Sequence, residues 1–322
     1  MNTVAKILLW ISVFILSIFQ IEYMYADILN SKACKASNIR NSIDFEEKAM
    51  KLNPHNPVYN ANLGYLYFQL DSNRYINESI LNFKIALNKS NRDYLFLLNL
   101  GFLYYVKGNM AEAKDCFVEI KDKIDDFYSL IFLGCIYENS NEIDSAKKLY
   151  TQSLLVSPNI ARSYFYDDLR SRNKKLADDC LITAIEVLKK AYEKNGDLII
   201  ASKLASLLLD NNCLEDAEKI LNMTLVELPN LSKAWCNFGR IYLTKKDSSK
   251  ALISFSKAVL MNPLDNESRY YLSKLKNETN EYKTILNNKE ELMLTLNRCA
   301  YKSKLNKTIV ISRFEKYFNI KY

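Results

Sequence analysis

The chain has 322 residues, 49% of them hydrophobic and 12% aromatic, which is enough to bury a sizeable core. Six glycines and five prolines in that length favour helix nearly throughout. The single histidine, His55, excludes zinc sites built from several histidines. The seven cysteines are widely spaced without a CxxC pair, which indicates free core thiols rather than a disulfide framework.

An apolar run of about eighteen residues, from 4 to 21, opens the chain. Its length suits a membrane helix, and three interpretations compete: an uncleaved signal anchor, a cleaved signal peptide and a buried first helix. A cleaved signal needs small residues at the −3 and −1 positions, and Met24 is bulky at −3 before Ala26. We therefore favour the anchor, with residues 1–36 forming an anchor or signal segment and a linker.

The charges that flank this run predict its orientation. Lys6 and the α-amine precede the run without an acid, whereas the trailing flank mixes both signs. The positive-inside tendency thus keeps the N-terminus in the cytoplasm and places the rest of the chain outside it. The cysteines weigh mildly against this placement, because free thiols are a liability in an oxidising compartment.

From residue 48 to residue 263 the chain repeats itself with a period of 33–34 residues. "KAMKLNP" at 48–54 returns as "KAVLMNP" at 257–263, and an apolar residue, glycine and tyrosine recur at 63–67, 100–104, 133–137 and 238–242. Alanine stands twelve residues after each of the last three glycines, at Ala113, Ala146 and Ala251. A fixed period of this length indicates a repeat architecture.

These residues resemble the tetratricopeptide repeat (TPR) family, whose unit is helix A, a turn and helix B. The unit at 232–263 carries the family pattern with Phe238 in place of leucine: Trp235, Phe238, Gly239, Tyr242, Ala251, Phe255, Ala258 and Pro263. Units at 57–91, 94–125, 127–158 and 198–229 carry most of it, and the unit at 161–196 is degenerate. The resemblance implies an all-α, right-handed α-solenoid of about six units over residues 37–275. Together with the apolar run, we expect a membrane helix before the solenoid and capping helices after it.

Four glycines occupy one position of the repeat: Gly64, Gly101, Gly134 and Gly239. Glycine inside a helix costs about 1 kcal/mol relative to alanine, so close packing must offset that cost. We expect helix A to touch helix B at these positions.

The sequence offers no chemistry typical of an enzyme. It contains no Gly-rich phosphate loop and no GxSxG elbow. Acidic pairs such as Glu46–Glu47 and Asp125–Asp126 are adjacent along the chain, and neighbouring residues on a helix do not face each other, which indicates solvated helix faces. We expect no catalytic activity, no cofactor and no metal.

Function is then expected in the groove that the helices A line. By resemblance, inward positions of the first two full repeats include the aromatic residues Tyr65, Phe68, Phe102 and Tyr105. Such a groove suits an amphipathic helix or an extended peptide of a protein partner. The alternative is that the N-terminal helix covers these rings.

The C-terminal segment, 276–322, is predicted to be a helical cap and a basic tail. Seven basic residues against Glu315 alone give +6 over residues 298–322, out of a total net charge of +7. A solvated amphipathic helix is the simpler interpretation, and contact with anionic lipid is the alternative. No nucleic acid partner is expected.

A second resemblance concerns the context of the repeats. A membrane helix leading into "AMKLNPHNPVYNANLGYLYF", followed by "SPNIARSYFYDDL", looks like the extracytoplasmic tail of some bacterial O-antigen ligase-like membrane proteins, without their catalytic portion. Two functions stay open: a membrane-tethered scaffold for protein–protein interactions in the bacterial cell envelope, and an accessory factor for surface-polysaccharide assembly that binds glycan or a ligase partner. The predicted location is the inner membrane, single-pass, with extracytoplasmic repeats; a cleaved signal would instead give a periplasmic or secreted protein.

Overall fold

The computed structural model of the chain describes residues 3–276, and the all-α expectation is confirmed. Fifteen α-helices and one short 3-10 helix follow one another over this range, and no strand occurs within it. The predicted cap and basic tail beyond Lys276 lie outside the described residues.

The chain divides into two compact units, the first ending at Ile124 and the second beginning at Asp125. The first unit contains six helices: α1 (Thr3–Lys35), α2 (Ile39–Leu52), α3 (Pro57–Leu70), α4 (Ile76–Lys89), α5 (Tyr94–Lys107) and α6 (Met110–Lys121). The second contains, within the described range, α7 (Phe127–Asn139), α8 (Ile143–Val156), the 3-10 helix (Pro158–Arg162), α9 (Tyr164–Arg172), α10 (Lys174–Asn195), α11 (Leu198–Asp210), α12 (Leu214–Glu227), α13 (Ser232–Thr244), α14 (Ser248–Met261) and α15 (Asn266–Lys276).

Successive helices pack in pairs, as helix A and helix B of a repeat do. In the first unit α3 packs on α4 and α5 on α6; in the second, α7 packs on α8, α11 on α12 and α13 on α14. The region of the degenerate repeat differs, because α9 has only nine residues while α10 has 22. Its helix A is therefore reduced.

Several helices A begin at side chains that cap the first free backbone N–H groups. The side chain of Asn56 accepts a hydrogen bond from Val58 N (3.0 Å), and that of Asp126 accepts one from Ser129 N (2.7 Å). Pro57 follows the first of these caps at a position where its missing N–H leaves no intrahelical bond unmade. These helix starts are thus encoded locally.

The expected contact of helix A with helix B at the repeat glycines is confirmed. A Cβ atom at Gly64 would lie 2.7 Å from the ring of Phe83, and one at Gly239 would lie 2.5 Å from the ring of Phe255. Both rings are fully buried. Glycine is required here because an aromatic ring of helix B fills the space that a side chain would need.

The first helix, α1, has two parts with different surroundings. Large apolar side chains are exposed between Trp10 and Met24; Trp10 is 74% exposed and Phe14 68% exposed. Only 6% of the apolar window in this helix is buried. The interpretation of the apolar run as a buried first helix is therefore wrong for residues 10–21, the part of the run whose side chains the structure describes.

The second part of α1 packs into the first unit. Ala26, Leu29 and Ala33 are buried beside α2 and α3. The Tyr59 hydroxyl donates to Asp27 Oδ1 (2.8 Å), and the Ser42 hydroxyl donates to the carbonyl of Ala33 (2.9 Å). The end of α1 thus takes the place of helix A for α2, and one helix joins the apolar run to the repeats.

The cysteines only partly follow the expectation of core thiols. Cys116, Cys180 and Cys236 are buried, whereas Cys34 is exposed. All six cysteines of the described range are free. Cys34 departs from the expectation because it lies near the end of α1, where its side chain stays exposed.

Candidate functional site

The four predicted groove residues lie on α3 and α5 in different degrees of burial. Phe68 is buried, at 2% exposure, while Tyr65, Phe102 and Tyr105 are half-buried. The rings of Phe68 and Phe102 meet edge to face, with centroids 5.8 Å apart. The buried ring of Phe68 thus packs against Phe102, and the accessible aromatic surface comes from the other three residues. A partner-binding role for the four residues stays a prediction.

The end of α1 flanks one of these aromatic residues. Tyr65 lines a partly open pocket of about 250 Å³, and Gln69 Nε2 donates a hydrogen bond to its hydroxyl (2.6 Å). We call this cavity the α1–α3 pocket. It is lined by Ala33, Cys34, Ala36, Ser37, Ile39, Ser42, Glu46, Asn62, Tyr65, Leu66 and Gln69. The N-terminal helix thus borders Tyr65 while leaving the pocket open.

The polar side of the α1–α3 pocket is formed by Glu46 and Asn62, which are 1% and 4% exposed. The amide of Asn62 donates one hydrogen bond to Glu46 Oε1 (2.6 Å) and one to Asn30 Oδ1 (2.9 Å). Burial raises the pKa of Glu46 to about 7, although the hydrogen bond from Asn62 acts to lower it. The sequence reasoning missed this site, because Glu46 appeared only as one of two adjacent acids on a solvated helix face.

In the second unit, inward helix A positions of the last two repeats include charged residues, which meet two further charges from neighbouring segments. We call Arg162, Asp210, Lys233, Arg240 and Glu267 the ion cluster. Arg162 Nη1 donates to Glu267 Oε1 (2.5 Å), and Lys233 bonds the other oxygen of Glu267. Arg240 bonds Asp210, whose Oδ1 also lies 3.3 Å from Arg162 Nε. The two carboxylates are almost completely buried, at 3% exposure or less.

The electrostatics of the ion cluster differ for its two carboxyl groups: burial raises the pKa of Asp210, whereas that of Glu267 is lowered. Burial alone would raise the pKa of Glu267, but Arg162 and Lys233 outweigh that effect and hold it at about 2. Asp210, Lys233 and Arg240 stand at helix A positions that the repeat pattern turns inward. Applying the repeat pattern to the last two repeats would have located these three charges, whereas their convergence with Arg162 and Glu267 depends on the fold.

One group of side chains near the ion cluster has metal-ligand chemistry. The ligand atoms of Cys236, Asp265 and Glu267 lie within 4.8 Å of one another. Glu267 forms ion pairs with Arg162 and Lys233. The backbone N–H of Glu267 donates to Asp265 Oδ1 (3.2 Å), so Asp265 caps α15. Burial raises the pKa of the Cys236 thiol to about 12. These partners give the group a structural role.

The sequence model of the tetratricopeptide repeat family matches residues 127–160 and 232–263, which include α7 with α8 and α13 with α14. A search of curated proteins gives no significant match. The resemblance to O-antigen ligase-like proteins is not shown by the comparisons and stays a prediction.

Similar solved structures are found at low identity. PilF of Pseudomonas aeruginosa is 14% identical, with 79% of this chain and 99% of that one covered and a TM-score of 0.38. A tetratricopeptide repeat protein of Parabacteroides merdae is 15% identical, with 79% and 99% covered and a TM-score of 0.37. Yeast Tom70 is 17% identical, with 80% and 54% covered and a TM-score of 0.42. The family match, the period of 33–34 residues and the paired helices together identify the chain as one built of tetratricopeptide repeats.

Proposed function

We propose that the protein is a membrane-tethered, non-catalytic scaffold that binds a protein or peptide partner on the helix A face of its first repeats. The observation that carries the proposal is α1, a single helix whose first part exposes an apolar surface and whose last part packs into the repeats. Such a helix connects a membrane anchor to a binding domain without an intervening linker.

The membrane part of the proposal rests on the length and exposure of α1. The stretch Trp10–Lys35 is long and apolar enough to cross a bilayer, and a signal sequence would meet the same criterion. Exposed side chains such as Trp10 and Phe14 would be costly to leave in water. With Lys6 on the leading side, the proposed location is the inner membrane of a bacterial cell, with the repeats outside the cytoplasm.

The partner part of the proposal rests on α3 and α5. Tyr65, Phe102 and Tyr105 keep part of their rings accessible, and Val106 beside them is 46% exposed. Aromatic anchors in a groove commonly dominate the binding of a peptide. The carboxylates of the ion cluster are already bound by arginine and lysine, which favours a structural rather than a catalytic role for them.

Fractionation of cells tests the tether. We expect the full chain to sediment with membranes and to resist extraction by salt and carbonate. A chain that begins at Tyr25 keeps the packed part of α1 and should be soluble and helical. Intact, uncleaved protein in the soluble fraction would contradict the anchor, and a mature N-terminus at Asp27 would establish a cleaved signal instead.

Crosslinking in membranes tests the partner surface. Tyr105→Ala should lower partner crosslinking by the full chain, because truncation of an anchor residue typically costs about 2 kcal/mol or more of binding. Tyr94→Ala is the matched control, because Tyr94 lies on the same helix at a more exposed position. Equal crosslinking by both variants and the parent chain would mean that this face is not the binding surface.

A further inference from the structure

We propose that the α1–α3 pocket binds the primary ammonium group of a lysine side chain from a peptide partner, with Glu46 and Asn62 as its acceptors. The inference deepens the proposed function and rests on it for the source of the lysine. Its direct test requires neither a membrane nor a native partner, so the two proposals can fail separately.

The hydrogen bonds of the pocket leave two buried oxygen atoms without a donor among the described residues. Both amide protons of Asn62 are used, one on Glu46 Oε1 and one on Asn30 Oδ1. Glu46 Oε2 and Asn62 Oδ1 are buried, and neither has a hydrogen-bond partner in the described part of the chain. Both residues line the pocket, so its polar side holds two buried acceptors that lack a donor among the described residues.

Two acceptors without donors favour a ligand group that only donates hydrogen bonds. An ammonium group carries three donors and no acceptor, so it can satisfy both oxygens and leave no lone pair unmatched. A hydroxyl group brings a single donor together with lone pairs of its own. An ammonium also compensates the charge of a buried carboxylate, which is costly without a counter-charge.

The shape of the pocket favours a ligand with an apolar stem. Ala33, Ala36, Ile39 and Leu66 line it together with the polar pair. A lysine side chain has four methylene groups that can lie along such a surface while its head reaches a buried partner. The half-buried ring of Tyr65 borders the same cavity, so the pocket continues the proposed partner surface on α3.

The pH dependence of binding adds a readout. The titratable groups of α1 and α3 that interact electrostatically with Glu46 are Cys34 and Tyr59. Burial raises the pKa of both groups, so they stay neutral between pH 6 and 8. The carboxylate of Asp27, beyond Tyr59, stays outside the pocket. Because the pKa of Glu46 is about 7, its ionised fraction rises about tenfold from pH 6 to pH 8, while lysine stays protonated.

The experiment measures binding of Nα-acetyl-lysine methylamide to the full chain in detergent by ligand-observed NMR. We expect saturable binding that strengthens about tenfold from pH 6 to pH 8. The norleucine analogue has the same stem without the ammonium, and the 6-hydroxynorleucine analogue replaces the ammonium by a hydroxyl. Both should bind at least about tenfold more weakly, as expected for loss of a charge-assisted hydrogen bond.

Two variants locate the site. Glu46→Gln should weaken binding of the lysine probe about tenfold or more, whereas Glu47→Gln, the neighbouring acid on α2 outside the pocket, should not change it. The bound probe should also protect the exposed thiol of Cys34 from alkylation, as read by mass spectrometry of its peptide. This readout keeps the proposal testable if Glu46→Gln alters the fold.

Three outcomes would overturn the proposal. The first is no binding of the lysine probe, which would leave water as the occupant. The second is equal binding of the hydroxyl analogue, which would point to a polyol such as a sugar. The third is unchanged lysine binding in Glu46→Gln together with no protection of Cys34.

Discussion

Replacing Gly134 with alanine should destabilise the repeat formed by α7 and α8. A Cβ atom at this position would lie 2.3 Å from Cε1 and 2.6 Å from Cδ1 of Tyr150. The ring of Tyr150 is fully buried, and its hydroxyl donates to Glu138 Oε2 (2.6 Å). The ring is fixed by its backbone at one end and by this hydrogen bond at the other, so moving it aside would break the bond or disturb buried neighbours.

Two opposing effects set the magnitude. Alanine is favoured over glycine inside a helix by about 1 kcal/mol, whereas overpacking of a core costs about 1–3 kcal/mol. The gap of 2.3 Å is far below a normal carbon–carbon contact, so the overpacking cost should lie at the upper end of its range. We expect a net loss of about 1–2 kcal/mol in the free energy of unfolding.

Urea denaturation followed by circular dichroism measures this loss, using the chain that begins at Tyr25. Gly108 is not a neutral control, because its φ of +87° would strain any other residue even though the space around it is open. The better control is Tyr150→Leu, which shortens the facing side chain. On that background Gly134→Ala should be neutral or stabilising, and stabilisation by about 1 kcal/mol on both backgrounds would refute the contact.

Three further predictions concern buried charge and the first helix. The folded-state pKa of Glu267, about 2, lies below its ordinary 4.5, so its contribution to stability, on the order of 3 kcal/mol, is present above pH 4.5 and is lost as the pH falls towards 2. Glu267→Gln should remove this part of the acid sensitivity in pH-dependent urea melts. At pH 7 the same variant should cost about 3–5 kcal/mol, because it leaves cations without a partner. For Glu46 the pH dependence of stability is reversed: its folded-state pKa of about 7 lies above 4.5, so stability falls as the pH rises from 4.5 through 7. Glu46→Gln should therefore be more stable than the parent chain at pH 8 by about 2–4 kcal/mol, but not at pH 4. An equal gain at both pH values would contradict the burial of the Glu46 charge. A chain that begins at Ser37 loses the packed part of α1 and should unfold at a lower urea concentration than one that begins at Tyr25. The free energy of unfolding should differ by about 3 kcal/mol or more, because the burial of Leu29 and two alanines is lost. Equal urea midpoints would show that this packing contributes nothing.

Local and periodic features of the chain were predictable because their causes lie within one repeat. The spacing of the glycines predicted which residues of helix A meet helix B, since a buried aromatic ring such as Tyr150 returns at a fixed distance along the chain. Helix starts at Asn56 and Asp126 follow from short side chains that reach backbone N–H groups two or three residues ahead. The arrangement of the repeats is in this sense a property of the sequence alone.

The tertiary structure decided which residues of the candidate sites meet. Arg162 and Glu267 are 105 residues apart and belong to segments whose lengths depart from the period, so no spacing rule pairs them. Phe68 matches the register of an inward residue, yet its accessibility depends on how closely the neighbouring helix brings Phe102. Glu46 stands among solvated acids in the sequence, and only the packing of α1, α2 and α3 removes it from water and leaves one of its oxygens without a donor among the described residues. Periodicity predicts contacts that recur from repeat to repeat, whereas contacts made once depend on the distance and angle between particular helices.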